Sequence, residues 1–236
     1  MQAIILCGGL STRLGDITKE IPKILLSIGC QTVLDHQLNL LKSVNVTEVI
    51  LASGHLHEVL FKSIGHQHQG LKVLYAKEDK RLGTGGAIKN AMKYISSEPF
   101  LVLNGDILVE GLNLAQMLSC QNKIERDLDA TIDGLLLSTL VDDVRDFGEI
   151  ISDQSGKILA FKEKQSDLHA GYINGGIYLF NKSIYNYFPG QDVFSIERDV
   201  FPIVNQLYSL QTRANLIDVG VPERLEYVRQ KYSSHS

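Results

Sequence analysis

The first half of the chain alternates short apolar runs with stretches of helical spacing. The apolar runs are AIILC (3–7), VTEVILAS (46–53), LKVLYA (71–76) and PFLVLNGD (99–106). Between them lie TVLDHQLNLLKS (32–43), HLHEVLFKSIG (55–65) and GGAIKNAMKYI (85–95). A continuous apolar run is typical of a strand that is covered on both faces. The alternation therefore predicts an α/β fold, with a mostly parallel central sheet and helices on both of its faces.

The second half of the chain is richer in predicted strands. FGEIISDQSGKILAFKEK (147–164) indicates two strands joined by the turn DQSG, and GYINGGIYLF (171–180) indicates another strand. SIERDVFPIVNQLY (195–208) and PERLEYVRQKY (222–232) are predicted to be helical. No Gly/Ser-rich linker and no periodic repeat interrupts the sequence. We therefore expect one α/β domain over residues 1–236 with a β-rich elaboration in its second half.

Charge and hydropathy exclude several classes of protein. The net charge is −4, whereas general nucleic-acid-binding proteins carry a basic excess. No apolar stretch is long enough to span a membrane, and the N-terminal MQAIILCGG lacks the basic region of a signal peptide. Cys7, Cys30 and Cys120 form no CxxC pair, which predicts reduced thiols. We expect a cytoplasmic protein that binds neither nucleic acid nor membrane.

The residues most suited to chemistry follow the predicted strands. Gly8-Gly9 and Arg13 follow the first strand, Gly83 to Gly86 follow the third, and Asn104-Gly105-Asp106 follow the fourth. In an open α/β sheet, ligands bind at the carboxyl ends of the strands, where these loops gather. We therefore expect the three loops to form one site.

The first loop has two interpretations. Glycines allow the backbone to approach a ligand closely, free N–H groups can hold phosphate oxygens, and Arg13 and Lys23 add positive charge. The pattern is neither the dinucleotide fingerprint GxGxxG nor the Walker loop GxxxxGK[ST]. From these residues alone, a phosphate-binding loop and a structural turn with a surface arginine both stay open.

Other polar residues at predicted strand ends are also ambiguous. Asp106 and Asp218 each follow an apolar run, so each is either a turn cap or a ligand for a hard cation such as Mg²⁺. Glu163 and Lys164 form either a surface ion pair or part of a site, and Asn174 indicates a ligand contact or a β-bulge. The His-x-His pairs at 55–57 and 66–68 have a spacing that disfavours zinc binding in their predicted helix and loop.

Taken together, these motifs resemble the sugar nucleotidyltransferases, the nucleoside-diphosphate-sugar pyrophosphorylases. The family opening GGxGTRLxPLTxxxPKxLxP stands here as GGLSTRLGDITKEIPKILLS (8–27). Further matches in family order are LGTGGAIKNA, LVLNGDIL, FGEI with GKILAFKEK, INGGIYLF and IDVGVPERL. The chain is most similar to short members that make GDP-sugars from D-glycero-D-manno-heptose 1-phosphate or mannose 1-phosphate. The resemblance implies no appended C-terminal β-helix domain.

The resemblance also implies a fold, a reaction and a set of site residues. The fold is a Rossmann-like nucleotide-diphospho-sugar transferase fold, with residues 1–110 mainly for the nucleotide and 130–220 mainly for the sugar phosphate. In the reaction, a sugar 1-phosphate attacks the α-phosphate of a nucleoside triphosphate and pyrophosphate leaves. Arg13, Lys23 and Asp106 would be catalytic, and Asp106 and Asp218 would hold Mg²⁺. A homodimer is compatible with the resemblance.

The remaining implied residues divide between the two substrates. Those for the nucleotide are Leu6, Gly8, Gly9, Ser11, Thr12, Arg13, Glu78, Gly83 and Thr84. Those for the sugar phosphate are Asn104, Gly148, Glu163, Lys164 and Asn174. Glu78 favours GTP, because a carboxylate accepts hydrogen bonds from both N1–H and N2–H₂ of guanine, whereas uracil offers it only one donor.

Departures from the family pattern leave alternatives open. Ser11 replaces a loop glycine, Gly15-Asp16-Ile17 replaces x-Pro-Leu, and Ser27 replaces a proline, but no charged group of the motif is lost. One alternative is a uridylyltransferase that acts on a sugar such as N-acetylmuramate 1-phosphate. Another is a catalytically silent regulatory protein that binds nucleotide sugars. A dehydrogenase is disfavoured, because no GxGxxG follows the first strand.

Overall fold

The computed structural model describes residues 1–164 and 166–233. The strands in these residues are β1 Gln2–Leu6, β2 Ser27–Ile28, β3 Gln31–Thr32, β4 Glu48–Ser53, β5 Gln67–His68, β6 Leu71–Lys77, β7 Phe100–Asn104, β8 Ile107–Glu110, β9 Gly134–Val141, β10 Glu149–Ser152, β11 Ile158–Lys162, β12 Gly171–Phe180, β13 Leu207–Thr212 and β14 Asn215–Asp218. The α-helices are α1 Val33–Lys42, α2 His57–Ile64, α3 Gly83–Met92, α4 Ala115–Leu128, α5 Ile196–Asp199 and α6 Pro222–Ser233. Short 3₁₀ segments cover Thr12–Thr18, Lys23–Leu25, Lys182–Tyr187 and Phe201–Ile203.

The central sheet has a parallel part and an antiparallel part. Its strand order is β11-β10-β12-β7-β1-β4-β6-β5. β7, β1, β4 and β6 run parallel to one another, as the alternation of runs and helices predicts. β12 joins β7 in the antiparallel direction and extends the sheet into the second half of the chain. The predicted mixed, mostly parallel sheet with flanking helices is confirmed.

The second half of the chain bends its strands into a nearly closed arc. β12 also pairs with β9, and β9 pairs with β13. The β10–β11 hairpin, whose turn is the predicted DQSG, reaches β13 through the hydrogen bond from Ser209 N to Gly156 O (2.8 Å). This arc is the β-rich elaboration that the sequence predicts.

β1, β4 and β7 are buried along nearly their whole length on both faces, which explains their apolar sequences, whereas β6 alternates buried and exposed residues. In β1, Ala3 and Ile5 pack against one core cluster and Ile4 packs against the other. The first cluster includes Leu34 and Leu38 of α1, and the second includes Ile88 of α3. Helices therefore cover both faces, and the loops that follow the strands stay free at the sheet edge.

One predicted helix is largely wrong. In the segment predicted to be helical over 195–208, α5 ends at Asp199 and a 3₁₀ turn covers Phe201–Ile203. Strand β13 then begins at Leu207. Pro202 lacks a backbone N–H and disfavours the helical conformation in the residue before it, so the helix cannot continue through it. The predicted helix over 222–232 is confirmed as α6.

A two-stranded ribbon of β8 and β14 brings distant parts of the chain together. These strands pair antiparallel, with Asp218 opposite Ile107. Leu108 and Ile217 of the ribbon join Leu225 and Val228 of α6 in a third apolar cluster. In the described residues, no helix is long and apolar enough to cross a membrane.

Candidate active site

A cleft of about 530 Å³ lies at the carboxyl ends of the parallel strands. The predicted site residues that line it are Leu6, Gly8, Gly9, Ser11, Thr12, Arg13, Lys23, Glu78, Gly83, Thr84, Asn104 and Asp106. The three loops that follow the first, third and fourth predicted strands therefore do meet at one place, as expected from the sheet topology.

The loop after β1 is shaped by a tight approach and by one unfavourable backbone conformation. A Cβ on Gly8 would lie 2.8 Å from Glu78 Oε1, so a side chain at this position would displace the carboxylate. Gly9 has open space around it. Ser11 adopts φ 51° and ψ 36°, the left-handed region that favours glycine. The serine thus takes a conformation that glycine adopts more easily, and its carbonyl accepts from Leu14 N (2.9 Å).

Two carboxylates and two cations meet beside this loop. Lys23 Nζ lies 2.8 Å from Asp106 Oδ2, and Arg13 lies 3.8 Å from Asp218 Oδ2. A Cβ on Gly220 would lie 2.5 Å from Asp218 Oδ1, 3.0 Å from the Arg13 guanidinium and 3.1 Å from Lys23 Nζ. Only a glycine leaves room for these three groups to converge.

The β8–β14 ribbon explains how the two carboxylates become neighbours. Val219 N donates to the carbonyl of Asp106 (2.9 Å), and Gly220 N donates to Asp218 Oδ1 (2.6 Å). Arg224 at the start of α6 lies 3.4 Å from Asp218 Oδ2. Asp218 is therefore held at the edge of the cleft by backbone and side-chain donors, although it does not line the cleft itself.

Glu78 begins the loop after β6 and lines both the main cleft and a second cavity. Its Oε2 accepts from Leu82 N (3.2 Å). Burial raises the pKa of this carboxyl group, and the Leu82 hydrogen bond opposes that rise. The second cavity, of about 390 Å³, is lined by Gly8, Leu10, Gly54, His55, Glu78, Asp79, Lys80 and Arg81. Glu78 is the acidic side chain that borders both cavities in the described residues.

The motif LGTGG serves packing more than ligand approach. Gly85 N and Gly86 N both donate to the carbonyl of Phe194 (3.1 and 3.3 Å). A Cβ on Gly86 would lie 2.1 Å from the carbonyl oxygen of Asp192. Thr84 Oγ1 donates to Glu197 Oε2 (2.6 Å). Of this motif, only Leu82, Gly83 and Thr84 line the cleft, because residues 192–197 cover the rest.

Four residues predicted for the sugar phosphate lie outside the cleft lining. Gly148 precedes β10, and Glu163 and Lys164 follow β11 and are exposed. Among the described residues, no hydrogen bond or ion pair holds the side chains of Glu163 and Lys164. Strand β11 ends at Lys162, just before them. Asn174 is half-buried and accepts from Gly176 N through Oδ1 (3.0 Å). Their roles at the site stay predictions.

Several residues of the cleft were not predicted from the sequence. These are Cys7, Ile24, Ala52, Arg81, Leu82, Ala87 and Gly220. Gly105, which the sequence places in one of the three expected loops, also lines the cleft, and a Cβ there would lie 2.5 Å from the carbonyl oxygen of Leu6. Cys7 is a free thiol whose pKa is raised by burial and by the nearby Glu78 carboxylate.

The combination of fold and cleft defines the class of protein. A sheet of this topology with a glycine loop, two cations and two carboxylates at one cleft is typical of α/β enzymes that act on nucleotide phosphates. A family model for nucleotidyl transferases matches residues 2–230. The chain belongs to this nucleotidyl transferase family.

Curated relatives cover nearly the whole chain. D-glycero-alpha-D-manno-heptose 1-phosphate guanylyltransferase of Campylobacter jejuni is 37% identical over 229 residues, which are 94% of this chain and 96% of that protein. The enzyme of the same name from Aneurinibacillus thermoaerophilus is 32% identical and covers 94% of both chains. Mannose-1-phosphate guanylyltransferase of Mycobacterium tuberculosis is 30% identical over 97% of this chain and 63% of that protein.

A solved structure has the same fold. HddC from Yersinia pseudotuberculosis complexed with GMP-PN is similar with a TM-score of 0.79 and 32% sequence identity. The match covers 98% of this chain and 99% of that chain.

Proposed function

We propose that the chain is a sugar 1-phosphate guanylyltransferase, which condenses GTP with a sugar 1-phosphate to give a GDP-sugar and pyrophosphate. D-glycero-D-manno-heptose 1-phosphate is the favoured sugar substrate and mannose 1-phosphate the next. The observation that carries the proposal is the meeting of the Gly8–Arg13 loop with Lys23, Asp106 and Asp218 at one end of the sheet. Relatives with these activities match nearly the whole chain.

The nucleotide end of the cleft is suited to a triphosphate. Gly9 is open on its Cβ side, so phosphate oxygens can approach the backbone there. Arg13 is exposed and supplies a planar guanidinium, while Lys23 supplies a compact charge deeper in the cleft. These groups bind the triphosphate and orient its α-phosphate.

Glu78 is the group that we assign to the base. Guanine presents N1–H and N2–H₂ as adjacent donors, and a carboxylate can accept both. Uracil presents one N–H between two carbonyl oxygens, which a carboxylate repels. The Leu82 N–H fixes one oxygen of Glu78, so the carboxylate has a defined orientation towards the base.

The reaction requires no covalent protein nucleophile. An oxygen of the sugar 1-phosphate forms a bond to the α-phosphorus of GTP, and the bond from the α-phosphorus to the bridging oxygen of the β-phosphate breaks. Pyrophosphate leaves with that electron pair. Arg13 and Lys23 stabilise the negative charge that develops on the α-phosphate and on the leaving group, so catalysis consists of positioning and charge stabilisation.

The donor set of the site fits a magnesium ion. Asp106 and Asp218 supply hard carboxylate oxygens. They form a pair and not a larger cluster, since the described residues contain no group of three or more His, Cys, Asp or Glu side chains able to hold a metal. Mg²⁺ commonly binds through one or two carboxylates and completes its shell with water and substrate phosphates. When bound, the ion would neutralise phosphate charge beside Asp106 and Asp218. Lys23 and Arg13 pair with these same carboxylates.

We assign the sugar end of the site to residues that lie on or next to β7, β10, β11 and β12. Asn104 lines the cleft beside Asp106, and Asn174 lies on the neighbouring strand β12. We assign sugar hydroxyls to Asn104, Asn174, Glu163 and the backbone at Gly148, and the sugar phosphate to Lys164. A cytoplasmic location, a homodimer and the division into nucleotide (1–110) and sugar-phosphate (130–220) parts stay predictions.

Pyrophosphate release over a grid of nucleoside triphosphates and sugar 1-phosphates tests the proposal. We expect turnover with GTP and a heptose or mannose 1-phosphate, dependence on added Mg²⁺, and loss of most turnover in Asp106→Asn with a native circular dichroism spectrum. The exposed Asp127 of α4 provides the matched control, Asp127→Asn, which keeps full turnover. Turnover with UTP in place of GTP would overturn the base assignment. Nucleotide binding without pyrophosphate release for any pair would instead indicate a silent binding protein.

A further inference from the structure

Tyr178 of β12 carries a hydroxyl group that its own packing does not require. Its side chain is fully buried, with the ring stacked on Phe180 at 5.4 Å and edge-on to Phe201 at 5.2 Å. Phe100 packs against Phe180 in the same cluster. A phenylalanine at 178 would satisfy these ring contacts equally well, and a buried hydroxyl costs free energy unless it is hydrogen-bonded.

The hydroxyl is bonded to the side-chain amide of Asn174, which lies on the same strand. Asn174 Nδ2 donates to Tyr178 Oη (2.9 Å). Gly176, at φ 68°, lies in the register shift between Asn174 and Tyr178, and this bulge turns Asn174 back towards the tyrosine.

The bulge at Gly176 also borders the cleft-lining side chain of Asn104. A Cβ on Gly176 would lie 2.7 Å from Asn104 Nδ2, so that amide is enclosed on one side by backbone. The segment that carries Asn174 and Tyr178 therefore lies directly beside the cleft.

The surroundings favour the protonated hydroxyl. Burial raises the pKa of Tyr178, and the nearby carboxylates of Glu197 and Asp106 raise it further, while the hydrogen bond from Asn174 opposes the rise.

We propose that Tyr178 is a positioning residue for the sugar 1-phosphate: its hydroxyl holds the amide of Asn174 in the orientation that binds the sugar hydroxyls. The inference rests on the proposed function and extends it to a residue that does not touch substrate. It requires that loss of the hydroxyl weakens sugar binding and leaves the nucleotide end of the cleft unchanged.

Steady-state kinetics of Tyr178→Phe test this proposal. Loss of one oriented hydrogen bond predicts a rise of about tenfold in KM for the sugar 1-phosphate. The KM for GTP stays within about twofold, because the Gly8–Arg13 loop and Glu78 are untouched. The matched control is Tyr208→Phe. Tyr208 is a buried tyrosine of β13 whose hydroxyl donates to Gln206 Oε1, and we expect its loss to leave both KM values unchanged.

A double-mutant cycle separates positioning from a general structural effect. If Tyr178 acts through the Asn174 amide, Tyr178→Phe raises the KM for the sugar 1-phosphate much less in the Asn174→Ala variant than in the wild-type protein. Asn174→Ala also keeps the Tyr178 ring in place, so it tests the same split should Tyr178→Phe fold poorly. An unchanged sugar KM, or equal rises for both substrates, overturns the inference. Absence of turnover in the wild-type protein would refute the proposed function instead.

Discussion

The packing of Gly86 against residues 192–194 gives a prediction in which two physical effects have opposite signs. Gly86 lies inside α3, where alanine is favoured over glycine by about 1 kcal/mol. A Cβ at 86, however, would lie 2.1 Å from the carbonyl oxygen of Asp192 and 2.8 Å from Leu82 Cβ. The first distance is more than an ångström short of an ordinary contact, so α3 and the segment that covers it must separate in Gly86→Ala.

The magnitude follows from the hydrogen bonds that the separation breaks. Gly85 N and Gly86 N donate to Phe194 O, and Phe194 N donates to Leu82 O. Three such bonds at about 1 kcal/mol each, less the gain in helix propensity, give a net loss of about 2 kcal/mol. In a domain of this size, that loss lowers Tm by roughly 4–8 °C.

Thermal unfolding followed by circular dichroism measures this effect. Gly190→Ala is the matched control, because Gly190 lies just before the covering segment and has no heavy atom within 4 Å of its Cβ position. We expect the control to change Tm by less than about 2 °C. An unchanged or higher Tm in Gly86→Ala would show that helix propensity dominates and that the close packing has been misjudged.

Three further substitutions test other parts of the structure. Ser11→Gly removes a left-handed side-chain penalty of about 1–2 kcal/mol and adds unfolded-state entropy of about 0.4–1 kcal/mol, so Tm should rise by about 1–2 °C in a melting scan; a fall would mean that the serine side chain stabilises the loop. Glu78→Gln should raise Tm at pH 8, because burial raises the folded-state pKa of the Glu78 carboxyl group and so makes its charged form destabilising at high pH. The gain in Tm should disappear as the pH falls through this pKa, since the neutral carboxyl group carries no such penalty. A gain that is constant over pH 4–8 would contradict this. Asp133→Ala leaves the Ser183 and Tyr187 hydroxyls without their acceptor, so urea unfolding should report a loss of about 2–4 kcal/mol, while the KM for GTP stays unchanged, and a changed KM would contradict a purely structural role.

The local parts of the fold and the site were predictable from the sequence. The apolar runs locate the parallel strands, because burial on both faces forces continuous apolar sequence. Gly8, Arg13 and Asp106 were predicted at one site, because the carboxyl ends of parallel strands share one edge of the sheet. The predicted hairpin turn at 153–156 is also confirmed, because the local sequence alone favours a turn there.

Features that depend on distant partners were not predictable. The need for glycine at 85 and 86 arises from residues 192–196, which no local pattern connects with them. The pairing of β8 with β14, which brings Asp218 to Asp106, is likewise a tertiary choice. Within 195–208, apolar residues spaced like a helix instead form a short helix, a turn at Pro202 and a strand that pairs with β9. Tertiary packing overrides local spacing in each case.

The question of Ser11 is answered in part by the backbone. The sequence alone left it open whether a serine could occupy a position that is usually glycine. The structure shows that Ser11 takes the glycine-like conformation and that its carbonyl closes the following turn. The serine therefore occupies this position at a cost in conformational energy, and Arg13 and Lys23 still line the cleft.

The β8–β14 ribbon also has a consequence for how the protein is made. During synthesis the loop at Gly8–Arg13, Lys23 and Asp106 all leave the ribosome before Asp218 does. The second carboxylate joins them only when β14 reaches β8, so a nascent chain that has folded its parallel strands still lacks half of the acidic pair. The parallel strands can therefore form before the two carboxylates meet, because the pairing that brings Asp218 to Asp106 requires residues far later in the sequence.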